Sequence, residues 1–203
     1  AGLTALTQGL RVRYALWVLL AAGFHQTALL LLPLAVLVSS KRWFISLIAM
    51  GAMASVAAIL ALGDTLASYT HGYLEAAYQS EGAFIRLSMN LLPAMLFLAL
   101  ANRMAIAQEE RRLWHWLSLG AMLLMALYVL SPSSTAVDRI GLYLIPLQLA
   151  MFSHLPGALR RAVSPTFIAL TIVIYFGTVL FVWLVFAVHA SGWLPYQTVL
   201  GEV

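Results

Sequence analysis

An all-α membrane protein, a polytopic transmembrane helical bundle of about six membrane segments, is what this sequence predicts. Three observations carry that reading. Hydrophobic residues make up 63% of the 203 residues and charged residues only 9%, whereas a soluble domain averages about 25% charged. Apolar stretches near the roughly 20 residues needed to cross a bilayer recur along the chain. Those stretches lack the every-second-residue alternation of a barrel strand.

The elements follow in order. Ala1–Leu10 is neutral, and the chain starts at Ala1 rather than Met, which predicts an upstream portion and makes residues 1–203 a single membrane domain at the C-terminal part of a longer protein. Arg11 and Arg13 flag a membrane boundary. Tyr14–Val38 is apolar but interrupted at Gly23-Phe24-His25-Gln26-Thr27 and again at Pro33, so it is either one tilted span or a broken, re-entrant pair of short helices. Lys41 and Arg42 close it. Trp43–Leu62 is the next span, with Gly51, Ala54, Ser55 and Ala58 suited to close helix packing. A polar outer loop over 63–82 carries Asp64, His71, Glu75 and Glu81. The span that follows runs to Ala101 and holds Arg86. A charged loop at 102–112 precedes the span Leu113–Leu130, and Arg139–Leu155 is a shorter span broken by Pro146. Thr166–His189 is the last span, and Ser191–Val203 reads as an amphipathic tail.

Arginine and lysine counts set the orientation, because cytoplasmic loops collect them. The loops at 39–42, 102–112 and 156–165 hold two, three and two basic residues, and they belong inside. A single span from Tyr14 to Val38 leaves seven basic residues inside against four outside, whereas a broken pair gives nine against two. The broken pair is favoured. Five of the seven acids then lie outside, together with Arg86 and Arg139 at the starts of their helices.

Gly82, Arg86 and Asn90 recur every four residues and share one helix face, with Phe84, Leu87 and Leu91 expected to point elsewhere. An arginine in a lipid-length segment costs about 2.5–3.5 kcal/mol at mid-membrane. Either it snorkels to the headgroups or it faces a polar cavity. Arg86 and Arg139 together suit an anionic group at the lipid boundary, a lipid-linked pyrophosphate for instance. Guanidinium forks match phosphate oxygens, and helix N-termini add positive dipole ends. The competing reading is a structural bridge from Arg139 to Asp138 or Glu81. Asp138 also reads as part of a helix cap after Ser134 or Thr135. Tyr143 lies one turn below Arg139 on its face, and Gln148 roughly opposite. Glu81, close to Arg86, is a candidate general base. His25 is the other, although a chain break stabilised by His-Gln-Thr side chains explains it equally well.

Other chemistries lack their residues. There is no cysteine, which excludes disulfides and thiolates. His71 and Glu75 have i, i+4 spacing but no evident third metal ligand. No glycine loop for a nucleotide is present. The net charge of +4 sits at segment ends as topology signals, so nucleic acid is not an expected partner. Paired halves with broken helices, the mark of many transporters, are absent.

Phe24-His25-Gln26-Thr27-Ala28-Leu29 followed by Leu32-Pro33 resembles the "FHxSAL…LP" block of the EpsG-type, Wzy-like bacterial polysaccharide polymerases. The Arg86 span ending in Leu92-Pro93 resembles that family's next arginine-bearing helix. Asp138-Arg139-Ile140-Gly141-Leu142-Tyr143, continuing to Gln148 and Leu155-Pro156, resembles its "RI/YY…Q…P" helix, and Trp193-Leu194-Pro195-Tyr196 its "W-x-PY" tail. Thr27 stands where the family more usually has Ser, and the His71–Tyr78 loop matches none of its motifs. The resemblance implies a GT-C-like inverting glycosyltransferase that polymerises undecaprenyl-pyrophosphate-linked repeat units at the outer face of the bacterial inner membrane, into an exopolysaccharide, capsule or O-antigen. Arg86 and Arg139 would bind the pyrophosphate, Glu81 or His25 would activate the acceptor hydroxyl, and Asn90, Tyr143 and Asp138 would line the substrate site. No cofactor or metal is implied. The partners implied are the lipid-linked oligosaccharide, membrane lipids and a chain-length regulator. The competing function is a transporter, a flippase or an assembly subunit for a lipid-linked glycan.

Overall fold

A computed structural model of the chain describes residues 1–39, 48, 82–130 and 134–187. The expected span Trp43–Leu62, the loop acids Asp64, Glu75 and Glu81, His71, and the tail Ser191–Val203 lie outside the described residues. All regular structure among the described residues is helical. Four helices among the described residues are long and apolar enough to cross a membrane: Ala83–Arg103, Gln108–Leu130, Val137–Ala158 and Pro165–Phe186. By clustering of contacts the chain divides into two compact units, Ala1–Met151 and Phe152–Val203.

In the first unit, a short helix α1 (Gly2–Thr7) leads into α2 (Arg11–Phe24). Helix α2 ends where His25 turns extended, at φ −148 and ψ 109. A 3-10 helix over Gln26–Leu31 then runs back, and the Tyr14 hydroxyl, near the start of α2, donates to the Leu31 carbonyl at 2.6 Å. The segment is therefore a hairpin that reverses at His25, the broken form of the first segment. Pro33 explains the 3-10 geometry. A proline has no N–H for the carbonyl four residues earlier, and that carbonyl, Leu29, instead accepts from the Leu32 N–H at 3.0 Å. Helix α3 (Leu34–Ser39) follows the turn.

Helix α4 (Ala83–Leu100) starts after Gly82, whose φ of +76 lies in the left-handed region open to glycine. A short connection, with a 3-10 turn at Ala101–Arg103, joins it to α5 (Gln108–Leu130). The two pack side by side, and they run antiparallel, since Phe84 at the start of α4 meets Tyr128 at the end of α5, with ring centroids 6.2 Å apart. Ala83, Leu87, Asn90, Ala94 and Phe97 form the buried stripe of α4, at the three- and four-residue spacing of one helix face. Leu87 corrects the sequence reading. It was expected to point away from the Arg86 face, yet it is 2% exposed and packs on the same neighbour.

That neighbour is α6 (Ser134–Gly141), which packs against both α4 and α5. A 3-10 turn over Leu142–Leu144 leads into α7 (Ile145–Ala158). The expected interruption at Pro146 thus falls just before it, for the same reason as at Pro33. The Leu142 carbonyl, four residues ahead of the proline, accepts from the Ile145 N–H. Gly141 sits at the helix crossing. A Cβ there would lie 2.9 Å from Leu87 Cδ2 and 3.5 Å from Asn90 Nδ2. Gly141→Val is therefore expected to destabilise the protein by about 1–3 kcal/mol through overpacking, measured as a lower thermal midpoint in detergent. Gly141→Ala should cost less, because alanine gains roughly 1 kcal/mol in helix propensity.

In the second unit, α8 (Pro165–Phe186) starts with proline in its first turn, where the missing N–H has no intrahelical partner to lose. Its Tyr175 and Phe176 rings meet Phe152 at centroid distances of 5.7 and 5.4 Å.

Candidate functional site

Arg86 is the charged centre of the described residues in the first unit. It lies one turn into α4, and its backbone N–H donates to the Gly82 carbonyl at 3.0 Å. Its guanidinium grips Asp138 of α6 with two parallel bonds, Nε to Oδ1 at 2.8 Å and Nη2 to Oδ2 at 2.6 Å. This is the bidentate fork that guanidinium and carboxylate favour. The Asp138 side chain is 11% exposed and that of Arg86 is 41% exposed. The carboxylate is thus buried under its partner, and the guanidinium lies across it toward the open side. Nη1 passes 3.3 Å from where a Cβ on Gly82 would stand, so the glycine leaves room for the arginine as well as for its own φ.

One turn further along α4, Asn90 is buried. Its Nδ2 donates to the Gly141 carbonyl at 2.9 Å, and its Oδ1 accepts from Gln148 Nε2 at 2.6 Å. One amide thereby ties α4 to both α6 and α7. The expected shared face of Arg86 and Asn90 is what the structure shows, since both reach the helix that carries Asp138. Removing the Asn90 amide strands two buried polar groups, and an unsatisfied buried group costs about 1–3 kcal/mol. Asn90→Leu should therefore lower the thermal midpoint more than Gln148→Leu, which orphans only the Asn90 amide oxygen.

Tyr143 sits in the 3-10 turn after Gly141 and turns to a different element. Its hydroxyl lies 2.7 Å from Thr27 Oγ1 of the hairpin, and the same Thr27 oxygen lies 3.3 Å from His25 Nδ1. Gln148 is five residues on, roughly 140° around a helix, which is why it meets Asn90 and not the hairpin. Arg139 is exposed. Its position is one residue, about 100°, around α6 from Asp138.

Three hydrogen-bonded groups thus lie on α6 and the turn that follows it: Arg86 with Asp138, Asn90 with the Gly141 carbonyl and Gln148, and Tyr143 with Thr27 and His25. Glu81 lies outside the described residues. The sequence reading gave Thr27 a part in stabilising the chain break but no partner outside the hairpin, and it gave Gln148 no role. The signal for Thr27 was its place beside His25 at the chain break, where polar side chains must satisfy freed backbone or one another.

Electrostatically, the Arg86–Asp138 pair is neutral and Arg139 adds one positive charge beside it. Arg86 lies near the start of α4, whereas Arg139, expected at a helix start, lies in the last turn of α6, because that helix already begins at Ser134. The positive dipole end of α4 and a guanidinium there suit an anionic group of a ligand. Among the described residues, no cluster of three His, Asp or Glu side chains forms a metal site.

No curated protein and no solved structure matches the chain. The family comparison does match, over residues 1–198, a range that takes in the hairpin, the Arg86 helix and the Asp138 helix alike, and on that match the chain belongs to the EpsG family.

Proposed function

We propose that this membrane protein is a polysaccharide polymerase, an inverting glycosyltransferase acting on repeat units linked to undecaprenyl pyrophosphate at the outer face of the bacterial inner membrane. The observation that carries the proposal is the Arg86–Asp138 fork with Arg139 beside it, in a chain whose family match runs through all three residues. In the reaction, the hydroxyl oxygen of the incoming unit's terminal sugar attacks C1 of the growing chain. The bond from C1 to the pyrophosphate oxygen breaks, the lipid pyrophosphate leaves with the electron pair, and the hydroxyl proton passes to a base.

Each residue has a part in that scheme. Arg86, held by Asp138, and Arg139 stabilise the charge that develops on the departing pyrophosphate, the kind of preorganised stabilisation that acts most strongly where water is excluded. Asp138 is a positioning residue, since it touches Arg86. Asn90 keeps α4 and α6 in register. Glu81 and His25 are the candidate bases, and Tyr143 is a candidate substrate contact. The leaving group is already activated, so the scheme routes no step through a metal or nucleotide. A chain-length regulator is the protein partner the reading proposes.

The test is the fate of lipid-linked repeat units in cells lacking the protein and in cells regaining it. Single units accumulating on the outer leaflet, cleared into long polymer when the protein is restored, support the polymerase. Units held on the cytoplasmic side until the protein returns identify a transporter instead.

A further inference from the structure

A hydroxyl of the hairpin meets one from the turn that follows the Asp138 helix. Thr27 Oγ1 stands between the Tyr143 hydroxyl, at 2.7 Å, and His25 Nδ1, at 3.3 Å. Thr27 and Tyr143 are half-buried and His25 is exposed. Nothing in the reaction scheme above requires Thr27. Its position is nevertheless unusual: it is two residues past the point where the chain reverses, and its partner is 116 residues away in sequence. A hydroxyl has one proton to donate and lone pairs to accept with. Whichever direction the bonds run, His25 Nδ1 is engaged by Thr27, and Nε2 is the ring nitrogen that remains to meet a substrate.

We infer that Thr27 is a positioning residue for His25, and that Tyr143 anchors it: the Tyr143–Thr27 contact holds the imidazole so that Nε2 takes the proton of the acceptor sugar hydroxyl. The inference rests on the polymerase reading and assigns the base within it. In the productive direction, Nδ1–H donates to Thr27 Oγ1, Thr27 donates to the Tyr143 oxygen, and Nε2 is unprotonated. As the acceptor oxygen bonds to C1 and the pyrophosphate leaves, the hydroxyl proton moves to Nε2. The imidazolium that results keeps its Nδ1–H bond to Thr27, so the same contact that fixes the tautomer also stabilises the charged form. A second residue on an imidazole's far nitrogen commonly plays this part. Tyr143 reaches the hairpin from the turn just after the Asp138–Gly141 stretch, so the base and the Arg86–Asp138 fork are held by one continuous piece of chain.

The test uses the full chain reconstituted in lipid nanodiscs with 15N-labelled histidine, and His25→Gln identifies the His25 signals. Wild-type protein should show His25 protonated at Nδ1. Thr27→Val, which matches threonine in shape, and Tyr143→Phe should both shift His25 toward the Nε2-protonated form, and Thr27→Ser should restore the wild-type pattern. With lipid-pyrophosphate-linked units as substrate, Thr27→Val should lower kcat about 10–100-fold, less than the roughly 10²–10⁴-fold that a general base itself contributes, with KM little changed. Thr27→Ser should recover most of that rate.

Wild-type nitrogen signals and wild-type kcat in Thr27→Val overturn the inference. So does an equal loss of folded protein in Thr27→Val and Thr27→Ser, which marks the contact as packing. Wild-type protein that makes no polymer overturns the polymerase reading itself, and the base assignment falls with it. Polymerisation by wild type together with an unaffected Thr27→Val overturns the inference alone.

Discussion

Arg86→Ala is expected to reduce both folded protein and polymer, and the two losses should separate in a second variant. The substitution leaves the Asp138 carboxylate, 11% exposed, without the fork that now satisfies both its oxygens. Removing one partner of a fully buried pair costs about 3–5 kcal/mol. The Arg86 side chain is 41% exposed, so solvent screens part of the interaction and about 2 kcal/mol is the expected loss. The thermal midpoint in detergent measures it. Arg86→Ala combined with Asp138→Ala removes the orphaned carboxylate and should recover most of that stability. Polymer should not return in the double variant, because the guanidinium proposed to bind the leaving group is still missing. Arg86→Lys keeps the charge but cannot make two parallel bonds. It should hold the fold better than alanine and polymerise poorly. Recovery of polymer in the double variant would make the ion pair a purely structural brace.

Arg139→Ala should do the reverse, with a large loss of rate and little change in fold. Arg139 is exposed on α6, where solvent screens its interactions, and losing an exposed ionic contact costs no more than about 1 kcal/mol. Loss of a charged donor to a departing oxyanion costs about 10²–10³-fold in kcat. Membranes with normal levels of Arg139→Ala should therefore carry single lipid-linked units in place of long chains. Long chains at wild-type rate would remove Arg139 from the site and leave Arg86 as the described arginine facing substrate.

Local geometry was readable in the sequence, and contact between distant segments was not. Arg86 and Asn90 share a face because they are four residues apart, and their spacing alone placed them together. The hairpin at His25 was readable from two signals. Polar residues interrupt the apolar run, and the placement of Arg11 and Arg13 favoured a segment that turns back. Pro33 and Pro146 signalled interruptions for a reason that holds in any fold, the missing N–H. The Arg86–Asp138 fork spans 52 residues, and no periodicity states how far one helix slides along another. Sequence reasoning offered Asp138 a cap and offered Arg139 the acidic partner, and it did not foresee the pairing of Asp138 with Arg86 that the helix register sets. Leu87 was misjudged by the same limit. A face wide enough for Arg86 and Asn90 also takes in Leu87 when the neighbour presents a glycine, and Gly141 does so. The contact of Thr27 with Tyr143 was missed because Tyr143 lies in a turn whose direction the sequence does not specify.

The central claim is that the chain forms a glycosidic bond at the expense of a lipid pyrophosphate linkage. The most direct measurement reconstitutes the full chain in liposomes with lipid-pyrophosphate-linked repeat units and follows polymer and free lipid pyrophosphate together. The account predicts polymer longer than one unit and one lipid pyrophosphate released for each new bond, both lost in Arg139→Ala. Units that cross the bilayer and remain single, with no lipid pyrophosphate released, would contradict it.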